Sequence, residues 1–326
     1  MDLSKLENFF GERFVTSESV RKQHSYDESW HIPNNLPDAV VFPETTLEVS
    51  KIISFANEEG IPVIPFGAGT SLEGQVHALN GGITINSVNM NKITEVNLDD
   101  MDCKVQPGVT REDLNTFLRE TGLFFPVDPG ANASIGGMCA TGASGTNTVK
   151  YGTIRQQVMG LEIVLPDGKI IKTGSRARKS SAGYDLTNLM LGSEGTLGFI
   201  SQIDLKLHGR PEAISAGVCS FENLSGAVDT VINAIQIGLP LSRIELLDEV
   251  QISAINKYKN TSHEEKPTLF IEIHGSPLGV KEQIEQFKEI FTELMDAGEW
   301  QEKIYNDCRK VLSKRSEPRW AFKRAP

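Results

Sequence analysis

The sequence predicts an α+β chain in two parts, and three observations lead there. From residue 37 onward, strand-length apolar runs alternate with helix-length amphipathic stretches; glycine crowds one central region; and the pattern changes again past Pro211. A length of 326 residues, 39% hydrophobic and 23% charged, is enough to bury two cores. The divisions read as an amino-terminal segment over 1–35, a first domain over 36–211, a partial second domain over 212–300 and a divergent basic tail over 301–326. No internal repeat is apparent.

Each element has a local reason. The run at 37–43 (PDAVVFP) is a short strand, and 46–59 is a helix with Leu47, Val49, Ile52, Ile53, Phe55 and Ala56 at helical spacing, closed by Gly60. A second strand over 61–65 leads directly into a glycine loop, and further strands follow at 82–86 and 103–107. Thr110 caps a helix expected to run to about Glu120. Of the 29 glycines in the chain, 13 fall between 130 and 198, interrupted by strands at 158–165 and 170–173 around a Pro166-Asp167-Gly168 turn. In the second part, strands are expected at 215–221 and 268–274, and helices at 227–237, 250–259 and 280–295.

Composition removes several function classes. With 43 Asp and Glu against 32 Lys and Arg, the net charge of −11 repels phosphate backbones, so nucleic acid is excluded as a partner. The start, MDLSKLENFFGERFV, has neither a basic segment nor the apolar stretch of a signal peptide, and no window approaches a membrane span. The chain is therefore expected to be cytoplasmic, or peripheral to the inner membrane. Cys103, Cys139, Cys219 and Cys308 lie too far apart for a zinc ribbon and read as buried thiols.

The stretch IPFGAGTSLEGQ, residues 64–75, follows a strand with Gly67, Gly69, Thr70 and Ser71. Such a loop aims successive amides into one concavity, and only a backbone without Cβ lets an anion approach so closely. It is neither a P-loop, because Leu72 and Glu73 follow Ser71, nor a Rossmann fingerprint, because the spacing is GxGxxxxG. On its own it reads equally well as a structural turn.

A second patch changes that balance. FPVDPGANASIGGMCATGASGTN over 125–147, then Tyr151-Gly152-Thr153, then LGSEGTLGFI over 191–200, together resemble the FAD-binding (PCMH-type) domain of the vanillyl-alcohol oxidase family. The likeness runs from about Leu36 to about Glu293 and extends to EIVLPDGKII, RIELLDEV and LFIEIHGS. It is strongest toward the cytochrome-linked D-lactate dehydrogenase branch, with the glycolate oxidase flavin subunit beside it.

The resemblance implies two α/β subdomains clamping FAD, followed by a partial α+β substrate (cap) domain. It assigns Pro65, Phe66, Gly67, Ala68, Gly69, Thr70 and Ser71 to the pyrophosphate. Pro129, Gly130, Ser134, Ile135, Gly136, Gly137, Thr141, Ser144 and Gly145, with Tyr151 and Gly152, would line the flavin, ribityl chain and diphosphate. Glu194, Gly195 and Ile200 would close over the adenosine. GAGTSLEG lacks the attachment His of covalent flavoproteins, so non-covalent FAD is expected; His77 lies beyond it.

The implied reaction is oxidation of a D-2-hydroxy acid, D-lactate first, by hydride transfer to flavin N5, with a quinone or cytochrome-type acceptor. A glycolate oxidase flavin subunit and a non-catalytic FAD-binding remnant are the alternatives. The chemistry needs a base and a carboxylate anchor. In the resembled enzymes these, and the ligands of a divalent metal, come from a carboxyl-terminal stretch with HxGDGNxH and ExHG motifs. Neither is recognised in a chain that ends at Pro326, so the catalytic half is expected to be missing, and no metal site is expected. The family's Trp-x-Ala-Arg-His segment is not reproduced by residues 320–324, and 307–326 hold 7 Lys and Arg against 2 Asp and Glu, which points to a truncated or frame-shifted end or to a basic tail. His274 and Arg243 remain as weak catalytic candidates, with a packed histidine and, for Arg243 and Glu245, a structural ion pair as the plainer readings. His24, His31, His208 and His263 lack ligand spacing.

Overall fold

The structure is a computed structural model that describes residues 2–293 and 300–305. The chain forms two compact units: Met1–Ser144 with Thr153–Gly209, and Gly145–Gly152 with the chain from Arg210. The excursion Gly145–Gly152, part of the glycine-rich patch in sequence, thus packs with the second unit.

The first unit holds two larger sheets. One is four-stranded, in the order Phe14–Val15, Ala39–Val41, Ile83–Asn86, Val63–Phe66, with the last three strands parallel. The helix Thr46–Glu59 makes the crossover between two of these strands. Its ends are set locally: the Thr45 side chain accepts from the Glu48 amide, and Gly60 stops it at a left-handed φ of 65°. Val49, Ile52, Ile53 and Ala56 form its buried stripe, whereas Leu47, part of the expected apolar pattern, is 67% exposed.

The other sheet is five-stranded and antiparallel, in the order Ile93–Asn97, Asp102–Val105, Phe199–Lys206, Val158–Val164, Ile170–Gly174. Its central strand Phe199–Lys206 and its edge strand Ile93–Asn97 lie outside the sequence expectations. The helix capped by Thr110 ends at Phe117, three residues short of the expected Glu120. Glu162 stitches the helix Thr46–Glu59 to this sheet, its Oε1 accepting from Thr46 Oγ1 at 2.7 Å and from Ser201 Oγ at 3.3 Å.

The second unit has an antiparallel sheet in the order Leu241–Leu247, Thr268–Gly275, Ala213–Ser220, Trp300–Tyr305. Leu269, Ile271 and Ile273 point from one face of the central strand into a core with Phe221, Val280, Ile284 and Phe287. Alternation sends Phe270, Glu272 and His274 to the other face. The expected helices appear as Leu224–Gln236, Glu249–Lys259 and Pro277–Glu293, while the strand Leu241–Leu247 was not expected. The basic stretch 307–326 lies outside the described residues.

The two leucine-class positions of one helix give a direct test. Ile52→Ala should cost about 2–5 kcal/mol, because it empties a fully buried site, and Leu47→Ala within about 0.5 kcal/mol; denaturant midpoints of the two variants read the difference.

Candidate functional site: a glycine-walled cavity

The strand Val63–Phe66 ends beside Asn86, and the chain passes straight into Gly67–Ser71. Gly69 turns the loop with a φ of 67°, a conformation that L side chains rarely adopt. Pro65, Phe66, Gly67, Ala68, Gly69, Thr70 and Ser71 all line one cavity of about 600 Å³ in the first unit. That is within the ordinary range for small-molecule and cofactor sites.

Among the described residues, none accepts a hydrogen bond from the amides of Gly67, Ala68, Gly69, Thr70 or Ser71. Five successive donors left over at a cavity wall are an anion-binding arrangement, since backbone donors are otherwise nearly always paired.

The facing wall comes from Pro129, Gly130, Ser134, Gly136, Gly137 and Thr141. Ser134 caps the helix Ile135–Thr141, accepting from the Gly137 amide, and the Gly136 amide is tied to the Pro107 carbonyl at 2.9 Å. The walls meet without room for side chains. A Cβ on Gly67 would fall on Ser134 Oγ, one on Gly136 would fall on Pro107, and one on Gly69 would sit 2.8 Å from the Phe66 ring. Glu194, Gly195 and Ile200 complete the lining. Gly195 has φ 79° and space for a Cβ only 2.6 Å from Pro65 Cγ. Glu194 is held left-handed at φ 50°, with its amide on the Ala140 carbonyl at 2.9 Å.

Not every residue assigned from the sequence reaches this cavity. Ile135 is fully buried in the core beneath it. Ser144 does not line it, and Gly145, Tyr151 and Gly152 pack with the second unit.

A residue that sequence reasoning missed holds the loop in place. Asp27 is 5% exposed; its Oδ2 accepts from Ser71 Oγ and from the Gly74 amide, both at 2.9 Å, and its Oδ1 from the Ser29 amide at 3.0 Å. The Glu28 amide adds a bond to the Ser71 carbonyl at 2.9 Å. Burial by itself would raise the Asp27 carboxyl, but the hydrogen bonds from Ser29, Ser71 and Gly74 outweigh it and leave the group below the usual carboxylate range. The amino-terminal segment therefore belongs to the site. Its only sequence signal was one of two adjacent acids in YDESW, 44 residues from its partner.

In the second unit the two catalytic candidates sit on the sheet face opposite the core. His274 Nε2 lies 2.6 Å from Glu272 Oε1, and His274 Nδ1 lies 3.0 Å from Tyr151 Oη. Arg243 Nη1 is 3.7 Å from Glu272 Oε2, and its Nη2 donates to Asn147 Oδ1 at 3.2 Å. Glu272-Ile273-His274-Gly275 also spells ExHG, which corrects the expectation that neither family motif is present; HxGDGNxH alone is lacking. Among the described residues no group of three or more His, Cys, Asp or Glu could hold a metal ion.

Comparison with known proteins gives this geometry a family. Residues 37–174 match the FAD binding domain family and residues 210–313 the C-terminal domain of FAD linked oxidases. The chain belongs to the FAD-linked oxidase family. It is 50% identical over 275 residues to a probable mitochondrial D-lactate dehydrogenase of Danio rerio, covering 83% of this chain and 55% of that one. It is 45% identical over 289 residues to the mitochondrial cytochrome D-lactate dehydrogenase of Arabidopsis thaliana, covering 88% and 51%. With the glycolate oxidase subunit GlcD of Bacillus subtilis it shares 35% over 283 residues, covering 86% and 60%. The chain thus spans about half the length of the D-lactate dehydrogenases it matches. In fold it is similar to alkyldihydroxyacetonephosphate synthase, with a TM-score of 0.78 at 23% identity over 91% of this chain and 59% of that one. Unpaired amides for a diphosphate, and walls that exclude Cβ atoms, fit the FAD that this family binds. No helix among the described residues is long and apolar enough to cross a membrane.

Removing the anchor should loosen the cofactor. Asp27→Ala is expected to weaken FAD binding tenfold or more, since hydrogen bonds to a charged group contribute about 1.5–3 kcal/mol and about 1.4 kcal/mol is a factor of ten. Because the folded-state Asp27 value is depressed, its contribution is complete above the ordinary value of 3.8 and lost as pH falls through the lower folded value. FAD retention followed by flavin fluorescence should therefore show no Asp27-dependent change between neutral pH and about pH 5. A variant that holds FAD as tightly as the parent would remove the anchor role.

Proposed function

We propose that this chain holds FAD non-covalently in the first-unit cavity and takes part in oxidising a D-2-hydroxy acid, D-lactate before others, with electrons leaving to a cytochrome-type or quinone acceptor. The observation that carries the cofactor half is the row of five unpaired amides from Gly67 to Ser71. It offers a diphosphate fixed dipoles at the end of a rigid strand, with no cation to desolvate. Pro129, Gly130, Ser134, Gly136, Gly137 and Thr141 then bear on the flavin and ribityl portions, and Glu194, Gly195 and Ile200 on the adenosine. Ile135 supports that wall from the core, while Ser144, Gly145, Tyr151 and Gly152 continue the same segment beyond it. When bound, FAD supplies a hydride acceptor at flavin N5. The absence of His and Cys from Gly67–Gly74 supports a dissociable cofactor.

The substrate half rests on the D-lactate dehydrogenases at 50% and 45% identity. The glycolate oxidase subunit at 35% supports glycolate as the alternative substrate.

Three experiments test the reading. Gly67→Val with Gly69→Val should abolish stoichiometric FAD while far-ultraviolet circular dichroism stays that of the parent; a folded double variant that keeps its flavin sinks the cavity assignment. In acid-precipitated parent protein the yellow colour should stay in solution. Under anaerobic conditions D-lactate should bleach the bound flavin and glycolate should do so more slowly. Bound FAD that neither compound bleaches overturns the activity while leaving the cofactor site standing.

A further inference from the structure

Asp27 has a further neighbour inside the first unit. His77 Nε2 lies 3.5 Å from Asp27 Oδ1, and the two side chains are 4% and 0% exposed. Among the described residues this buried Nε2 has no hydrogen-bond partner. A buried polar atom left without one is rare and costly. Here it stands against the one carboxylate that grips Ser71 and Gly74.

That neighbour fixes which atom the imidazole offers. An ionised carboxylate can only accept, and a bare Nε2 lone pair beside it in a buried setting would meet negative charge at short range. Nε2 therefore carries a hydrogen, which the carboxylate attracts. At 3.5 Å the contact is electrostatic and longer than an ordinary hydrogen bond. The His31 ring, 5.6 Å from the His77 ring at an interplanar angle of 32°, lies beside it.

The chain turns this contact into a clamp. Gly74 and His77 are the two ends of one turn, closed by the His77 amide on the Gly74 carbonyl at 3.1 Å. The residues between them, Gln75 and Val76, line the cavity. Asp27 Oδ2 accepts from the Gly74 amide at 2.9 Å while Oδ1 faces His77, so one carboxylate meets both ends of a turn whose middle is cavity wall. Gly74 leaves the ring its place: φ is 82°, and a Cβ there would sit 3.0 Å from His77 Nδ1.

We propose that His77 is a positioning residue for the cofactor, acting through Asp27 to hold the turn 74–77 as a rim that slows FAD release. This rests on the FAD site proposed above. The segment 71–77 is then fastened to a single carboxylate at its start by Ser71, at its middle by Gly74 and at its end by His77. Loss of the last fastening frees Gln75 and Val76 at the cavity wall while the amides of 67–71 stay in place.

The test uses the full chain with FAD bound and follows FAD release by flavin fluorescence after dilution. His77→Leu keeps apolar bulk without an N–H and should release FAD at least about threefold faster, whereas His77→Gln keeps an N–H donor and should stay below that factor, in the range of coupling within one hydrogen-bond network. In protein already carrying Asp27→Ala, His77→Leu should add less than about twofold, because the group it acts through is gone. A His77→Leu variant that releases FAD less than about threefold faster, a His77→Gln variant as leaky as His77→Leu, or the same factor in the Asp27→Ala background overturns the proposal. A second readout needs no cofactor: in FAD-free protein labelled with ¹⁵N-histidine, His77 Nε2 should be protonated and its resonance should move in Asp27→Ala. A bare Nε2, or an unmoved resonance, overturns the contact whether or not the chain binds FAD. Parent protein that binds no FAD overturns the cofactor reading and the rim with it, while the resonance still reports on the contact.

Discussion

The cavity depends on glycine backbone pressed against neighbouring residues where no further side chain fits. Gly67 lies against Ser134, Gly136 against Pro107 and Gly195 against Pro65, each so closely that a single Cβ would displace its neighbour. Because protein interiors are packed near crystal density, such contacts transmit position rather than absorb it. The loop Gly67–Ser71 is held in place because Phe66 is in register with Asn86 on one side of it and Asp27 grips Ser71 and Gly74 on the other. Gly136 and Gly195, within the glycine-rich stretch 130–198, are thus geometric requirements.

The division of labour follows from sheet type. Two of the three parallel strands, Ala39–Val41 and Ile83–Asn86, are buried on both faces, and Val63–Phe66 ends in register with Asn86, at the strand ends where α/β sheets present loops to ligands. The antiparallel sheet of the second unit can spare a face, and there Arg243, Glu272 and His274 sit opposite the apolar core formed by Leu269, Ile271 and Ile273. One strand with period two therefore presents an apolar face and an ionisable face at once.

Much of this was legible in the residues themselves. The helix Thr46–Glu59 declared both of its ends, and the two glycine patches marked the two cavity walls. Less legible were features set by distant partners. Phe199–Lys206 follows a glycine-rich run that masks its alternation, and it becomes a strand through its ladders with Asp102–Val105 and Val158–Val164. Leu47 fits the helical period yet points to solvent. Asp27 gave no motif at all, because a single carboxylate reveals its role only once the fold brings Ser71 and Gly74 to it. Tyr151 looked like one more cofactor-patch residue until the fold gave it His274 as a partner.

The excursion Gly145–Gly152 leaves the first unit and returns to it at Thr153. The second unit is therefore not a contiguous module. A fragment begun at Arg210 would retain the whole sheet but strip Asn147, Lys150 and Tyr151 from its polar face, exposing Glu272 and His274 to water. Recombination or domain grafting at the apparent boundary would thus separate the sheet from the residues that cover its polar face.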